Sequence, residues 1–361
     1  MQEESNINED AEQEHSDGGQ NMHGSERRQQ RMIQSNKEIM SAMREFAPTL
    51  KKIVDSNTDY SLEVKTLKQL RKKLKKPSQQ RQQKAETNEV DGLMSSTARA
   101  FDSDDEERER ELWEGVKRKS ITRLLLTAYA HTLLFLVLYI QILILGRLQL
   151  DEEKEEKAHD ADFPVKRNES SKVVLTKTYE FFFARGLPAL SSAIEAAVDK
   201  RLCCWTVMNI DQMSEREFEA GIDAVRWNFD SENAITSFVV QGNEVLDQVK
   251  DLINRVVLEE TWDIMESPLF ANAWKESIGQ TLIELKGIWM HVFKDRRNEL
   301  SDPSKLKFPL ATIVTRLRNC SNLFYCEDKG EKTNNDRMNA QLSRLFSLQS
   351  VGALGNACIN F

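Results

Sequence analysis

The chain has 361 residues with 50 Lys+Arg against 58 Asp+Glu, a formal net charge of -8. Hydrophobic residues make up 40% of it, and Gly 14 and Pro 7 are both low for this length. That excludes collagen-like, linker-dominated and all-β chains, and the mild acidity excludes a protein that coats nucleic acid. Five cysteines without metal-type spacing exclude a disulfide framework and a zinc module.

The first 24 residues carry seven acids (Glu3, Glu4, Glu9, Asp10, Glu12, Glu14, Asp17) and no Lys or Arg. With almost nothing apolar they cannot offset the entropy of ordering, so residues 1–26 are expected to be a disordered acidic tail. No apolar h-region follows Met1, so no signal peptide is expected and the sequon at Asn168 is not expected to be used. The rest, 27–361, reads as one helical domain.

Met32, Ile39, Met43, Phe46, Leu50, Ile53 and Val54 recur mostly at three- and four-residue spacing and predict a helix over 27–54, with Pro48 kinking or restarting it. Leu62, Leu67, Leu70 and Leu74 predict a second over 59–76, whose other face is basic (Lys68, Arg71, Lys72, Lys73, Lys75, Lys76) and which Pro77 ends. That basic face is open to three uses besides solvation: an anionic lipid or nucleic-acid surface, an import signal, or pairing with the acidic run 102–111. A polar loop is expected near 77–106, with Ser103 ahead of acids in the manner of an acidophilic kinase target. The acids before Trp113 suit a helix N-terminus and start a long helix from about Glu107 to Leu150.

Within it, Leu124 to Gly146 is uncharged and long enough to span a bilayer, about 20 apolar residues sufficing. Two readings stand: a single membrane span, or the central helix of a bundle, buried all round. A second loop is expected near 151–172. Amphipathic helices follow near 175–199, around Val245, Val249, Leu252 and Val256, around Ile278, Leu282, Leu285, Trp289 and Val292, and after Pro309. Their single apolar faces need partners, so the fold class is all-α, a helical bundle.

No Gly-rich phosphate loop, HExxH or G-x-S-x-G occurs, so no enzyme and no cofactor is expected. Cys203-Cys204 reads as core rather than redox. His131 and His291 read as packed core histidines, and Glu259, Glu260, Asp263 and Glu266 as a solvated helix face.

Four stretches carry a resemblance: RRQQRMIQSNKEIMSAMREFAPTLKKIV (27–54), LWEGVKRKSITRLLLTAYAHTLLFLVLYIQILILG (112–146), LEETWDIMESPLF (258–270) and FPLATIVTRL (308–317). In order and spacing they resemble the cytosolic domain of the peroxin three family, the peroxisomal biogenesis factors. The resemblance implies an elongated bundle around a long, central, highly apolar helix, with 124–146 enclosed and Thr127, His131 and Gln141 facing neighbouring helices. It implies a docking receptor on the peroxisomal membrane, with the bulk of the chain facing the cytosol. Its partner would be the chaperone peroxin nineteen, which delivers peroxisomal membrane proteins and docks as an amphipathic helix in a groove. No nucleic acid or small-molecule substrate is implied. The family's key aromatic corresponds to Trp113, with Val116 on the same helical face, and its aliphatic–Lys pair corresponds to Leu67 and Lys68, or to Leu70 and Lys72. A tryptophan beside a flexible loop is expected to be open to a partner. The sequence departs from the family in having an acidic tail where a short transmembrane anchor and basic flank are expected.

Overall fold

The computed structural model describes residues 24–84, 95–158, 176–208, 210, 212–239, 252–289, 307–325 and 331–360. Helix α1 is Gly24–Asn57, α2 Ser61–Lys84 and α3 Ser95–Ala158. Helix α4 covers Thr176–Arg201. Then come β1 (Met213–Ser214), α5 (Glu215–Glu232), a 3-10 turn at Ile235–Phe238, α6 (Leu252–Glu266) and α7 (Pro268–Trp289). The chain ends with β2 (Lys307–Phe308), α8 (Leu310–Arg316), α9 (Cys320–Tyr325), α10 (Glu331–Phe346) and α11 (Gln349–Asn360).

Everything is arranged on α3. At 1.5 Å per residue its 64 residues extend roughly 96 Å. Every residue from Leu124 to Gly146 is buried, and α1, α4, α6, α7, α8, α9 and α11 all pack on the helix. The span reading of 124–146 gives way to the other: this segment is apolar all round because helices cover it all round. Two helices, Asp104–Asp151 and Thr176–Arg201, are long and apolar enough to cross a membrane.

The polar residues of the buried segment register its neighbours. Gln141 Nε2 donates to Thr178 Oγ1 (3.1 Å), and the Tyr179 hydroxyl donates back to Gln141 Oε1 (3.3 Å), fixing α4. The Thr132 and Thr281 hydroxyls share a 3.0 Å bond that fixes α7. Tyr129 donates to Asp230 of α5 at 2.7 Å. Thr127 instead returns its hydroxyl to the Arg123 carbonyl (2.7 Å). His131 lies edge-on to Phe324 of α9, at 5.0 Å between centroids. Such groups are tolerated in an apolar core when paired, and pairing makes each one specific for a single arrangement.

Helices α1 and α2 follow one another along the same side of α3, both antiparallel to it. Arg31 of α1 lies against Gly146, whereas Asp55 and Thr58 at its end meet Arg123. On α2, Glu63 pairs with Lys119 and Arg71 with Glu109.

Several boundaries differ from the sequence expectation. Helix α1 passes through Pro48, which is exposed, so the Arg44 carbonyl deprived of its usual donor lies on the side water reaches. Helix α2 continues past Pro77 to Lys84, and α3 begins at Ser95, not near Glu107. Of the expected loop near 77–106 only 85–94 lies outside the described residues. Likewise α3 runs past Leu150 to Ala158, leaving 159–175 outside them. The extensions 77–84 and 151–158 are rich in Gln, Lys and Glu, good helix formers, whereas 95–106 is rich in Ser and Asp, and none of the three carries an apolar face to announce a helix. The tail 1–23, Val245, Val249, His291, Val292 and Asn168 also lie outside the described residues.

The 258–270 stretch is explained locally. Ser267 accepts from the Phe270 N–H (3.2 Å) as N-cap of α7, and Pro268 takes the first helical position, where a missing donor costs nothing. A two-residue antiparallel bridge, Met213 opposite Phe308, was not expected from sequence. Inside α4, Phe182–Gly186 forms a π turn that lays Gly186 against the Phe238 carbonyl, a space closed to any Cβ.

Candidate docking site at the junction of α2 and α3

The stretch 112–123 lies where α2 meets α3 and the body of the bundle begins, and its charged residues are ties to that surrounding structure. Glu114 accepts from the Val207 N–H (3.0 Å). Lys117, buried and paired with Glu114, donates to the Leu202 (3.0 Å) and Trp205 (2.7 Å) carbonyls just past the end of α4. Arg118 pairs with Asp199 of α4 (2.9 Å) and Lys119 with Glu63 of α2 (2.7 Å). Arg123 donates to Thr58 Oγ1 (2.8 Å) and to the Thr58 (3.0 Å), Asp55 (3.3 Å) and Arg318 (3.0 Å) carbonyls. Cations on carbonyls past a helix end offset the negative end of its dipole.

Trp113 sits among these ties. Its side of α3 faces α2, where Leu67 and Leu70 are buried; Val116 is fully buried one turn on. Leu67, Trp113 and Val116 belong to the continuous apolar core. Lys68 and Lys72 are exposed, on the outer side of α2 with Lys65 and Lys73. The structure therefore places Leu67, Trp113 and Val116 in one apolar core, with Leu70 buried on α2 but not part of that core, and leaves Lys68 and Lys72 exposed on the outer side of α2.

Contrary to the expectation from sequence, the indole is not open. Trp113 is only 7% exposed and lies well inside α3, since the helix starts at Ser95. The Arg71 guanidinium carbon sits 5.2 Å from the ring centroid. Arg71 Nε donates to Glu109 Oε1 at 2.8 Å, and the indole N–H reaches the same oxygen in a long 3.4 Å contact. Trp113 thus pins α2 to α3 in the partner-free chain. Its outermost cover is nevertheless slight: the Arg71 side chain is 52% exposed, and at that exposure its ion pair and its cation–π contact are each worth on the order of 1 kcal/mol or less.

Arg71 and Glu109 are the site residues that sequence reasoning missed as individuals. The one signal was the facing of a basic run by an acidic one, and Arg71–Glu109 realises that pairing across 38 residues.

Elsewhere the expectations divide. Cys203 and Cys204 are exposed, not core, because they fall in the turn that leaves α4. Glu260 is drawn off the solvated face into an ion pair with Arg147 of α3, while Asp263 and Glu266 stay exposed. His131 is a core histidine whose two ring nitrogens find no protein partner, and burial pushes its pKa down to about 4. A polar recess of about 380 Å³ beside Arg123 and Tyr60 and a more apolar groove of about 650 Å³ beside Trp227 and Trp274 are not lined by Trp113. Among the described residues no group of three or more His, Cys, Asp or Glu is placed to hold a metal ion.

Among the described residues the regular structure is helical apart from one two-residue bridge, an all-α bundle built on one enclosed apolar helix. Residues 5–174, 170 of the 361, match the family described as Peroxin-3, which supports assigning the chain to that family. The match spans α1, α2 and α3, the last two of which form the seam. No curated protein matches the chain. The match implies a role in peroxisome biogenesis and association with the peroxisomal membrane.

Proposed function

We propose that the chain is a docking receptor for the chaperone peroxin nineteen, supporting insertion of peroxisomal membrane proteins with its bulk on the cytosolic side. A short amphipathic helix of the chaperone would lie along the α2–α3 seam. The observation that carries this reading is the composition of the seam. An indole and three aliphatic side chains, Leu67, Leu70 and Val116, lie beneath a rim of exposed cations, with one half-exposed arginine over the aromatic. Buried aromatic anchors rimmed by polar residues are what helix-in-groove sites use, and tryptophan is enriched among their energetic centres.

Calorimetry of the full chain with a peptide of the chaperone's N-terminal segment tests the proposal. Trp113→Ala is expected to cost about 2–4 kcal/mol of affinity, in the range of a hot spot. Because Trp113 also supports α2, a second variant is needed that leaves the core intact. Lys68→Glu/Lys72→Glu alters only exposed side chains and is expected to weaken binding with an unchanged melting temperature. Unaltered affinity in both variants would falsify the assignment of the seam.

A further inference from the structure

We infer that Arg71 sets the specificity of the α2–α3 seam: it bridges Glu109 to a carboxylate on the incoming helix, so the seam selects an apolar helix that carries an acid beside its anchor. The inference rests on the docking proposal and adds to it the chemistry the partner must present.

The geometry supplies a half-used fork. A guanidinium has five N–H donors in one plane. Among the described residues Arg71 spends only Nε, on Glu109. Its side chain is 52% exposed, whereas that of Glu109 is 10% exposed. Glu109 therefore anchors the inner edge of the guanidinium while the outer edge stays solvated, the arrangement from which a bidentate pair with a second carboxylate forms without leaving the first one unpaired. The cation lies over the Trp113 ring, so the place where an acid is welcome and the place where an apolar side chain is welcome are separated by about one side chain. On a helix, residues three or four apart share one side at that separation. Lys68 and Lys72, exposed on the same helix, keep the local charge positive. Glu106, Glu107 and Glu111 are exposed on the α3 side and disfavour a partner acid there. The acid is thereby directed to the α2 edge, which orients the helix as well as selecting it.

A double-mutant cycle on the full chain decides the point. The probes are two synthetic amphipathic Leu/Phe-rich helices, identical except for Glu or Gln four residues from the central Leu. The unaltered chain is expected to bind the Glu form about tenfold more tightly in low salt, with the preference shrinking as salt rises. Arg71→Met keeps a stem over Trp113 and is expected to bind both forms equally. Arg71→Lys, a point charge without the fork, is expected to retain only a small part of the preference. Equal binding of the two probes by the unaltered chain overturns this inference and leaves the docking proposal standing. A preference that survives Arg71→Met also overturns it. Failure of the unaltered chain to bind either probe or the chaperone peptide overturns the docking proposal and this inference together.

Discussion

Arg123 closes the end of α1 by donating to both the hydroxyl and the carbonyl of Thr58, 65 residues earlier in the chain. The same guanidinium lies over Tyr60 at 5.2 Å and reaches the Arg318 carbonyl at 3.0 Å, so three separate segments meet on one side chain. Arg123 is buried, and its replacement leaves several carbonyls without donors. Arg123→Met is expected to destabilise the fold by about 3–5 kcal/mol, read from urea unfolding. A loss below about 1 kcal/mol would show that water substitutes for the guanidinium.

His131 makes stability depend on pH in a defined window. Burial holds its pKa at about 4, against 6.5 for an ordinary histidine. As pH falls below 6.5 the unfolded chain takes up a proton that the folded chain refuses. Stability is therefore full above that value and declines towards pH 4, by roughly 3 kcal/mol in total. The pH window of this effect is separate from that of the carboxylates Asp59 and Glu217, whose hydrogen bonds from Ser61 and Ser214 lower their pKa and whose contribution is lost only as pH falls below the ordinary carboxylate range. His131→Phe, which keeps a ring edge-on to Phe324, is expected to flatten urea-unfolding stability between about pH 6.5 and 4.5. A slope that persists in the variant places the titration elsewhere.

The four described cysteines divide by exposure. Cys203 and Cys204 are open to solvent, while burial pushes the Cys320 and Cys358 thiols up to about 12. Iodoacetamide at mildly alkaline pH is expected to alkylate the first two in the folded chain and the second two only on unfolding, as peptide mass mapping would resolve. Early labelling of Cys320 would contradict the packing of α9 on α3.

Gly355 gives a test of α11. A Cβ there collides with the Tyr139 hydroxyl and the end of Met32. Gly355→Ala is expected to lose about 1–3 kcal/mol, and Tyr139→Phe to restore part of it by removing the colliding oxygen. Additive losses in the double variant would mean that the two side chains do not meet.

The core of the fold was legible because Leu124–Gly146 has no polar face at all, and the helices around it have one each. That same uniformity left a membrane span and a bundle centre indistinguishable, since hydrocarbon and neighbouring helices make equal demands on such a segment. The polar outer parts of α2 and α3 read as loop because a sequence without an apolar stripe leaves no periodic trace. Cys203 and Cys204 were misplaced because the usual burial of cysteine says nothing about a turn. At the seam, Trp113, Val116, Leu67 and Leu70 were readable as residue types at helical spacing. The closure of the indole was not, because it depends on Arg71 and Glu109, which meet only after α2 has folded back along α3.

The head-to-tail course of α1 and α2 gives the molecule two poles. Arg31 stands beside Gly146 and Arg71 beside Glu109, and the 37 helical steps of α3 from Glu109 to Gly146 set these landmarks about 55 Å apart. A helix docked at the seam as proposed would therefore sit at arm's length from the beginning of α1, with a stiff rod in place of a leash to set the standoff.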